Sequence, residues 1–369
     1  MTERFSALMG VRNANHRSVG PGPGGRLQHP RVMAGRWETS VKMRYVLPAV
    51  VVGASFAAIA VRAATAKDRG SLAMQAATLV LKGRGKPLQD VATFRSGIVA
   101  RTYPQPAAIP PAMARAFDVR TDSVDGRTVF TVSPKTGGSR WRIVYNHGGA
   151  YVNEMVGPHW DIVRALIDAT GATVTVPIYP LAPEFNHRDA FPFLADVYRR
   201  VLDGAAPGDI VLAGDSAGGG LAIGEAVEFR RLGLPAPARI LAFSPWLDLT
   251  LADPAARALE PRDIMLGVDA LRVCGNWWAA GDDPRAPGLS PLYADPTILP
   301  PIDIYQGSED ILAVDARSFA ARAKRSGGTV AYHEYPGAFH VFVGATFTPE
   351  AKAVFAQIAT DLPPLAATS

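Results

Sequence analysis

From about residue 141 to the C-terminus, short apolar runs alternate with helical patterns, and that alternation leaves few architectures open. The runs 141–145, 172–178, 210–213, 240–243, 302–305 and 330–332 suit central strands. Helical patterning fills 160–168, 191–202, 219–231 and 314–326 between them, and 349–358 after the last. Strands separated by helices imply βαβ units, hence an α/β fold whose mostly parallel sheet has helices on both faces. Upstream, the runs 117–119 and 128–132 flank Asp125-Gly126, which reads as a hairpin turn adding antiparallel order at one edge. The stretch 250–291 interrupts the alternation with Pro, Gly and Trp, and an insertion of this kind can build a cover or a pocket. With 369 residues, 48% of them apolar, the chain can bury a sizeable core.

Gly214-Asp215-Ser216-Ala217-Gly218-Gly219-Gly220 follows one of these strands and opens a helix. Small residues at 214 and 218 let the chain turn tightly, so that the Ser216 hydroxyl projects above the sheet edge. The helix starting at Ala217 aims backbone N–H groups at the place where negative charge would develop. A serine hydroxyl is a weak nucleophile near neutral pH and needs a base that is itself oriented by a carboxylate. The chain order belonging to such a turn is serine, acid, histidine. Of the seven histidines only His333 and His340 come late enough, and His340 lies in a loop beyond the last strand while His333 falls at a strand end. His340 is the expected base. Asp310, shortly after the run 302–305, is the candidate acid, with Glu309 and Asp315 as rivals. A third element, Tyr145-Asn146-His147-Gly148-Gly149-Ala150-Tyr151, places glycines where backbone must approach a ligand closely. Its N–H groups, joined by that of Ala217, would form an oxyanion hole. His147 is read as fixing the loop through local hydrogen bonds.

With these residues in place, the chain resembles the hormone-sensitive lipase family of bacterial carboxylesterases. His147-Gly148-Gly149-Ala150 corresponds to the family's His-Gly-Gly-Gly signature, with alanine last. Tyr179-Pro180-Leu181-Ala182-Pro183-Glu184 is similar to its Tyr-Arg-Leu-Ala-Pro-Glu segment, and Gly214–Gly219 matches the nucleophile motif in full. Asp310, Leu312 and Asp315 fit its Asp-x-Leu-x-x-Asp region, whose first aspartate is the triad member. The resemblance implies an α/β-hydrolase fold with a helical cap, and hydrolysis of short to medium acyl esters without metal or organic cofactor. It implies oxyanion donors at Gly149, Ala150 and Ala217, with Gly148 shaping the turn. The implied partner is a small-molecule ester or lipid. Alternative readings are a specialised acetylated, lipid, sterol or amide substrate, or a catalytically silent binding protein of the same fold. Trp246, Trp277, Trp278, Tyr151 and Phe339 could line an apolar pocket, although core packing is the default for each.

Charge separates the N-terminus from this body. Residues 1–44 hold seven Arg and one Lys against two acids, and without them the formal net charge of +5 falls close to neutral. A near-neutral body with no zinc-finger spacing argues against a nucleic-acid partner. The Gly-, Pro- and Arg-rich stretch 1–44 reads as a disordered extension. Behind it, 45–61 is a 17-residue uncharged segment flanked by basic residues, at the short end for spanning a bilayer. Membrane association through residues 45–61, a signal segment and a packed helix all stay open, so the expected location is cytoplasmic or membrane/cell-envelope associated. Residues 45–113, with a helical stretch at 71–82, are read as an apolar helix and cap or linker, and 114–369 as the catalytic domain with a cap-like insertion at 250–290. The single cysteine, Cys274, excludes an intramolecular disulfide and reads as buried. Oligomeric state is not encoded in any of these patterns.

Overall fold

A computed structural model describes residues 69–83, 86 and 91–363, all within the compact unit Ala57–Ser369. The expected extension 1–44 and the segment 45–61 lie outside the described residues. Among the described residues three helices lead in: α1 (Leu72–Lys82), α2 (Val91–Ala100) and α3 (Pro111–Ala116). Ser71 caps α1, its hydroxyl accepting from the Met74 N–H at 3.1 Å. At Asp125-Gly126 both φ values are positive, 48° and 75°, which turns β1 (Phe117–Val124) back onto β2 (Arg127–Pro134) as an antiparallel hairpin. Strand β1 is longer than its apolar core suggested. Its middle residues Arg120, Thr121 and Asp122 are exposed or half-buried, and polar side chains on an edge strand hide it from an apolar-run reading.

The remaining elements alternate as β3 (Arg142–Asn146), α4 (Gly157–Thr170), β4 (Thr173–Pro177), α5 (His187–Leu202), β5 (Ile210–Asp215), α6 (Ala217–Arg231) and β6 (Arg239–Phe243). The insertion then carries α7 (Pro254–Leu259) and α8 (Val268–Ala279), and β7 (Ile302–Gly307), α9 (Ala313–Ser326), β8 (Val330–Tyr335) and α10 (Pro349–Asp361) complete the chain. Among the described residues eight strands form one sheet in the order β1-β2-β4-β3-β5-β6-β7-β8. The pairs from β4 to β8 are parallel, and β1 and β2 are antiparallel. Strands β5 and β7 are buried along their whole length, as a sheet covered on both faces requires. Cys274 is buried on α8.

The chain crosses from β4 to β5, which flank β3 on opposite sides. The strand order therefore reverses at β3 and β5, and their carboxyl ends open a crevice of the kind that binds ligands in open α/β sheets. Helix α2 and the insertion share one apolar cluster, in which Ile98 and Phe94 join Leu266, Leu271, Cys274 and Trp278.

The expected membrane association through residues 45–61 is corrected here. Among the described residues no helix is long and apolar enough to cross a membrane. The longest, α5, has 16 residues with Arg and Asp side chains on it. It would extend about 24 Å at the helical rise, against a hydrocarbon core of about 30 Å.

Candidate active site

Ser216 joins β5 to α6 with φ 55° and ψ −122°, a conformation that costs a non-glycine residue free energy unless its surroundings fix it. They do. The Ser216 N–H donates to the Phe243 carbonyl at 2.8 Å, and the Ser216 carbonyl accepts from Trp246 at 2.9 Å and Gly220 at 3.1 Å. Glycine is required on both sides of the turn. A Cβ on Gly218 would collide with the carbonyls of Asn146 and His147, and one on Gly214 with the Gly218 carbonyl.

The hydroxyl of Ser216 lies 2.9 Å from Nε2 of His340. His340 Nδ1–H donates to Asp310 Oδ2 at 2.8 Å, and the carboxylate acceptor sets the tautomer. Asp310 also accepts from Gln306 Nε2 at 2.7 Å and from the Leu312 N–H at 2.9 Å, so both its oxygens are held. His340 follows β8 and Asp310 follows β7. Gly307 closes β7 because a Cβ there would press on the carbonyls of Ala338 and Phe339. Burial alone would lower the proton affinity of His340, but the charges of Asp310, Asp263 and Asp215 outweigh it, and the pKa is raised above the ordinary histidine value.

Opposite lies the loop after β3. Gly149, Ala150 and Tyr151 all have positive φ, at 125°, 56° and 62°. Among the described residues no protein acceptor takes the amides of Gly149 and Ala150. Ala217, as the first residue of α6, carries one of the N–H groups that a helix leaves unpaired. The Gly148 amide is committed differently, donating to Asp215 Oδ1 at 3.0 Å. Only glycine fits at 148, since a Cβ would collide with that same carboxylate.

Asp215 is thus the anchor of the loop. Its Oδ1 also accepts from the Tyr145 hydroxyl at 2.5 Å, and Oδ2 faces His159 Nε2 at 3.3 Å. Burial would raise the Asp215 pKa, yet His159, Tyr145 and Gly148 together hold it below the usual carboxylate value. His147 donates through Nδ1 to the Gly148 carbonyl at 2.7 Å and stacks on Tyr179 with ring centroids 4.5 Å apart. The Tyr179 hydroxyl in turn donates to the His147 carbonyl at 2.7 Å. Burial, with the neighbouring His159, lowers the His147 pKa to about 4, and burial raises that of Glu154 to about 7. Their 3.7 Å approach is therefore a contact between two groups driven toward neutrality, not a strong ion pair. From α2's end, Arg101 Nη2 donates to the Ala182 carbonyl and to Glu184 Oε2, both at 3.0 Å, and Nη1 donates to the Val152 carbonyl.

The structure brings Ser216, His340 and Asp310 together and leaves the rivals apart. Glu309 pairs with the exposed Arg262. Asp315 is buried in the first turn of α9 with no partner on Oδ2 among the described residues, and His333 stacks on Tyr305 at 5.0 Å. Tyr151, Trp246 and Trp278 are fully buried, with Tyr151 stacked on Trp278 at 4.3 Å. Phe339 is buried and Trp277 half-buried. Sequence reasoning missed Asp215, Tyr145 and His159 as loop anchors, and also Asp263. Of these, Asp215 and Tyr145 lie within recognised motifs, and His159 and Asp263 lie in none. Among the described residues no group of His, Cys, Asp or Glu is arranged to hold a metal ion.

Known proteins share this arrangement of chain. A family model described as alpha/beta hydrolase fold matches residues 143–344. An acetyl-hydrolase of Streptomyces hygroscopicus is 38% identical over 201 residues, covering 54% of this chain and 67% of that protein. The solved structure of an esterase/lipase from an uncultured bacterium superposes with a TM-score of 0.68 at 26% identity, over 79% of this chain and 98% of the other. An esterase from the bacterial hormone-sensitive lipase family gives a TM-score of 0.65 at 26% identity, over 79% and 97%.

Proposed function

The chain belongs to the α/β-hydrolase family and is a serine carboxylic ester hydrolase related to the bacterial hormone-sensitive lipases; on that premise we propose that Ser216, His340 and Asp310 are its triad. One observation carries the assignment. The three side chains form a continuous hydrogen-bonded chain of 2.9 and 2.8 Å, in the chain order and on the strand ends that the chemistry needs.

In this reading Ser216 Oγ attacks the ester carbonyl while Nε2 of His340 takes its proton. Asp310 keeps the proton on Nδ1 and stabilises the imidazolium that forms. The amides of Gly149, Ala150 and Ala217 donate to the tetrahedral oxyanion, and each such donor is worth about 3 kcal/mol in the transition state. Ala150 keeps its N–H, so the departure from glycine leaves the donor set whole. His340 then protonates the leaving alcohol, and water resolves the acyl-enzyme by the same route. Gly148 and His147 shape the loop and donate nothing to substrate.

The substrate class we favour is an ester of a short acyl group. The aromatic side chains of Tyr151, Trp246 and Trp278 are buried against one another, which supports a small acyl group, and the acetyl-hydrolase likeness points the same way. We assign the cap to α2 together with the 250–290 insertion, on the strength of their shared apolar cluster. The test is hydrolysis of p-nitrophenyl esters of increasing acyl length by the wild type and by Ser216→Ala. The wild type is expected to prefer acetyl and butyryl esters, and the variant to lose about 10⁵-fold in kcat. Undiminished hydrolysis by Ser216→Ala would refute the assignment.

A further inference from the structure

Strands β5, β6, β7 and β8 are neighbours in that order, and their carboxyl ends lead to Ser216, the 250–290 insertion, Asp310 and His340 in turn. Three of the four have a part in the reaction above. The fourth reaches it through two consecutive residues that grip the chain on either side of Asp310. Arg262 pairs with Glu309, Nε to Oε2 at 2.7 Å, with a second contact from Nη2 to Oε1. Asp263 Oδ2 accepts from the Ile311 N–H at 3.0 Å.

The other oxygen of Asp263 accepts from the amides of Met265 and Leu266, both at 2.8 Å. Asp263 is only 3% exposed. The three N–H donors favour its ionised form, against the burial that favours the neutral one. The residue that follows, Ile264, packs in the same cluster as Phe339, the residue before His340, and Met265 lies against that cluster. One short stretch of the insertion therefore bonds to the acid loop and shares an apolar cluster with the base loop.

We propose that Asp263 is a positioning residue: it fixes the Asp310 loop through the Ile311 amide and brings a second negative charge to the His340 imidazolium, tying the insertion to the triad. The inference rests on Asp310 and His340 acting together as above. The groups facing His340 are Asp310, Asp263 and Asp215. Burial and then the facing Asp310 raise the Asp263 pKa, the facing His340 and the Ile311 and Leu266 amides lower it, and on balance it stands above the ordinary aspartate value. His340 must be neutral to accept the serine proton, so activity falls as pH drops through its folded-state pKa. Removing one of the charges that raise that pKa moves the acid limb of the profile downward.

The experiment compares full-length wild type, Asp263→Asn and Asp310→Asn in p-nitrophenyl acetate hydrolysis across the acid limb. Asp263→Asn is expected to lower kcat about tenfold with little change in KM, and to shift the acid limb of kcat/KM down by about one pH unit. A merely structural role would reduce the rate and leave the limb where it was, and an unmoved limb overturns the proposal. Asp263→Ser, whose hydroxyl still accepts a backbone N–H without carrying charge, takes its place if the asparagine variant does not fold. Unfolding of both also counts against the proposal, because a positioning residue leaves the fold standing. Undiminished activity in Asp310→Asn would instead refute the triad reading, which keeps the two failures distinct.

Discussion

Around Ser216 backbone lies directly on backbone, with Gly218 against the Asn146 carbonyl, Gly214 against Gly218 and Gly220 against the Trp246 carbonyl, whereas the residues on either side of Asp310 are held by side chains reaching from 47 and 48 residues away. The first arrangement is intolerant of a single added methyl group, since carbonyls of a central sheet cannot retreat. The second is built from separable ties of unequal worth. Arg262 is 62% exposed on its side chain, while Asp263 is buried. The nucleophile is placed by excluding alternatives, and the acid by adding restraints.

Gly218→Ala probes that contrast most severely. Its Cβ would meet three backbone atoms of Asn146 and His147, so a loss of about 3 kcal/mol or more is expected, read from the urea midpoint, together with loss of esterase activity. A wild-type midpoint would show that the β3 and β5 loops can separate, and the contrast would collapse. Arg262→Ala should have a far smaller effect, about 0.5 kcal/mol in stability and less than about a twofold change in kcat, because an exposed ion pair contributes little. A loss comparable with that of Gly218→Ala would place both sides of the site on the same footing.

The same contrast explains what could be read from the chain. The parallel strands, the Ser216 turn and the two glycines of the oxyanion loop are local patterns, in which close backbone approach forces a residue type. His340 and Asp310 were reachable because each lies in a loop just past a recognisable strand. Asp215 was visible as a letter of the nucleophile motif, but its work depends on Gly148, 67 residues away, and on Tyr145 and His159. Asp263 had no local signature at all, being one acid in a loop-rich insertion. Helix α2, with Gly97 in its interior and no acidic first turn or basic last turn, carries weak helix signals, and its burial against the insertion is a tertiary effect. The strand β1 was underestimated for the opposite reason, since its exposed polar residues diluted a real β pattern.

Activation of Ser216 by His340 is tested most directly by peptide mapping after labelling with a fluorophosphonate. This reagent traps a serine whose proton an adjacent base can remove. One adduct is expected, on the peptide containing Ser216 in the wild type, and none on that peptide in His340→Ala. An adduct on a different serine, or equal labelling of Ser216 without His340, would contradict it.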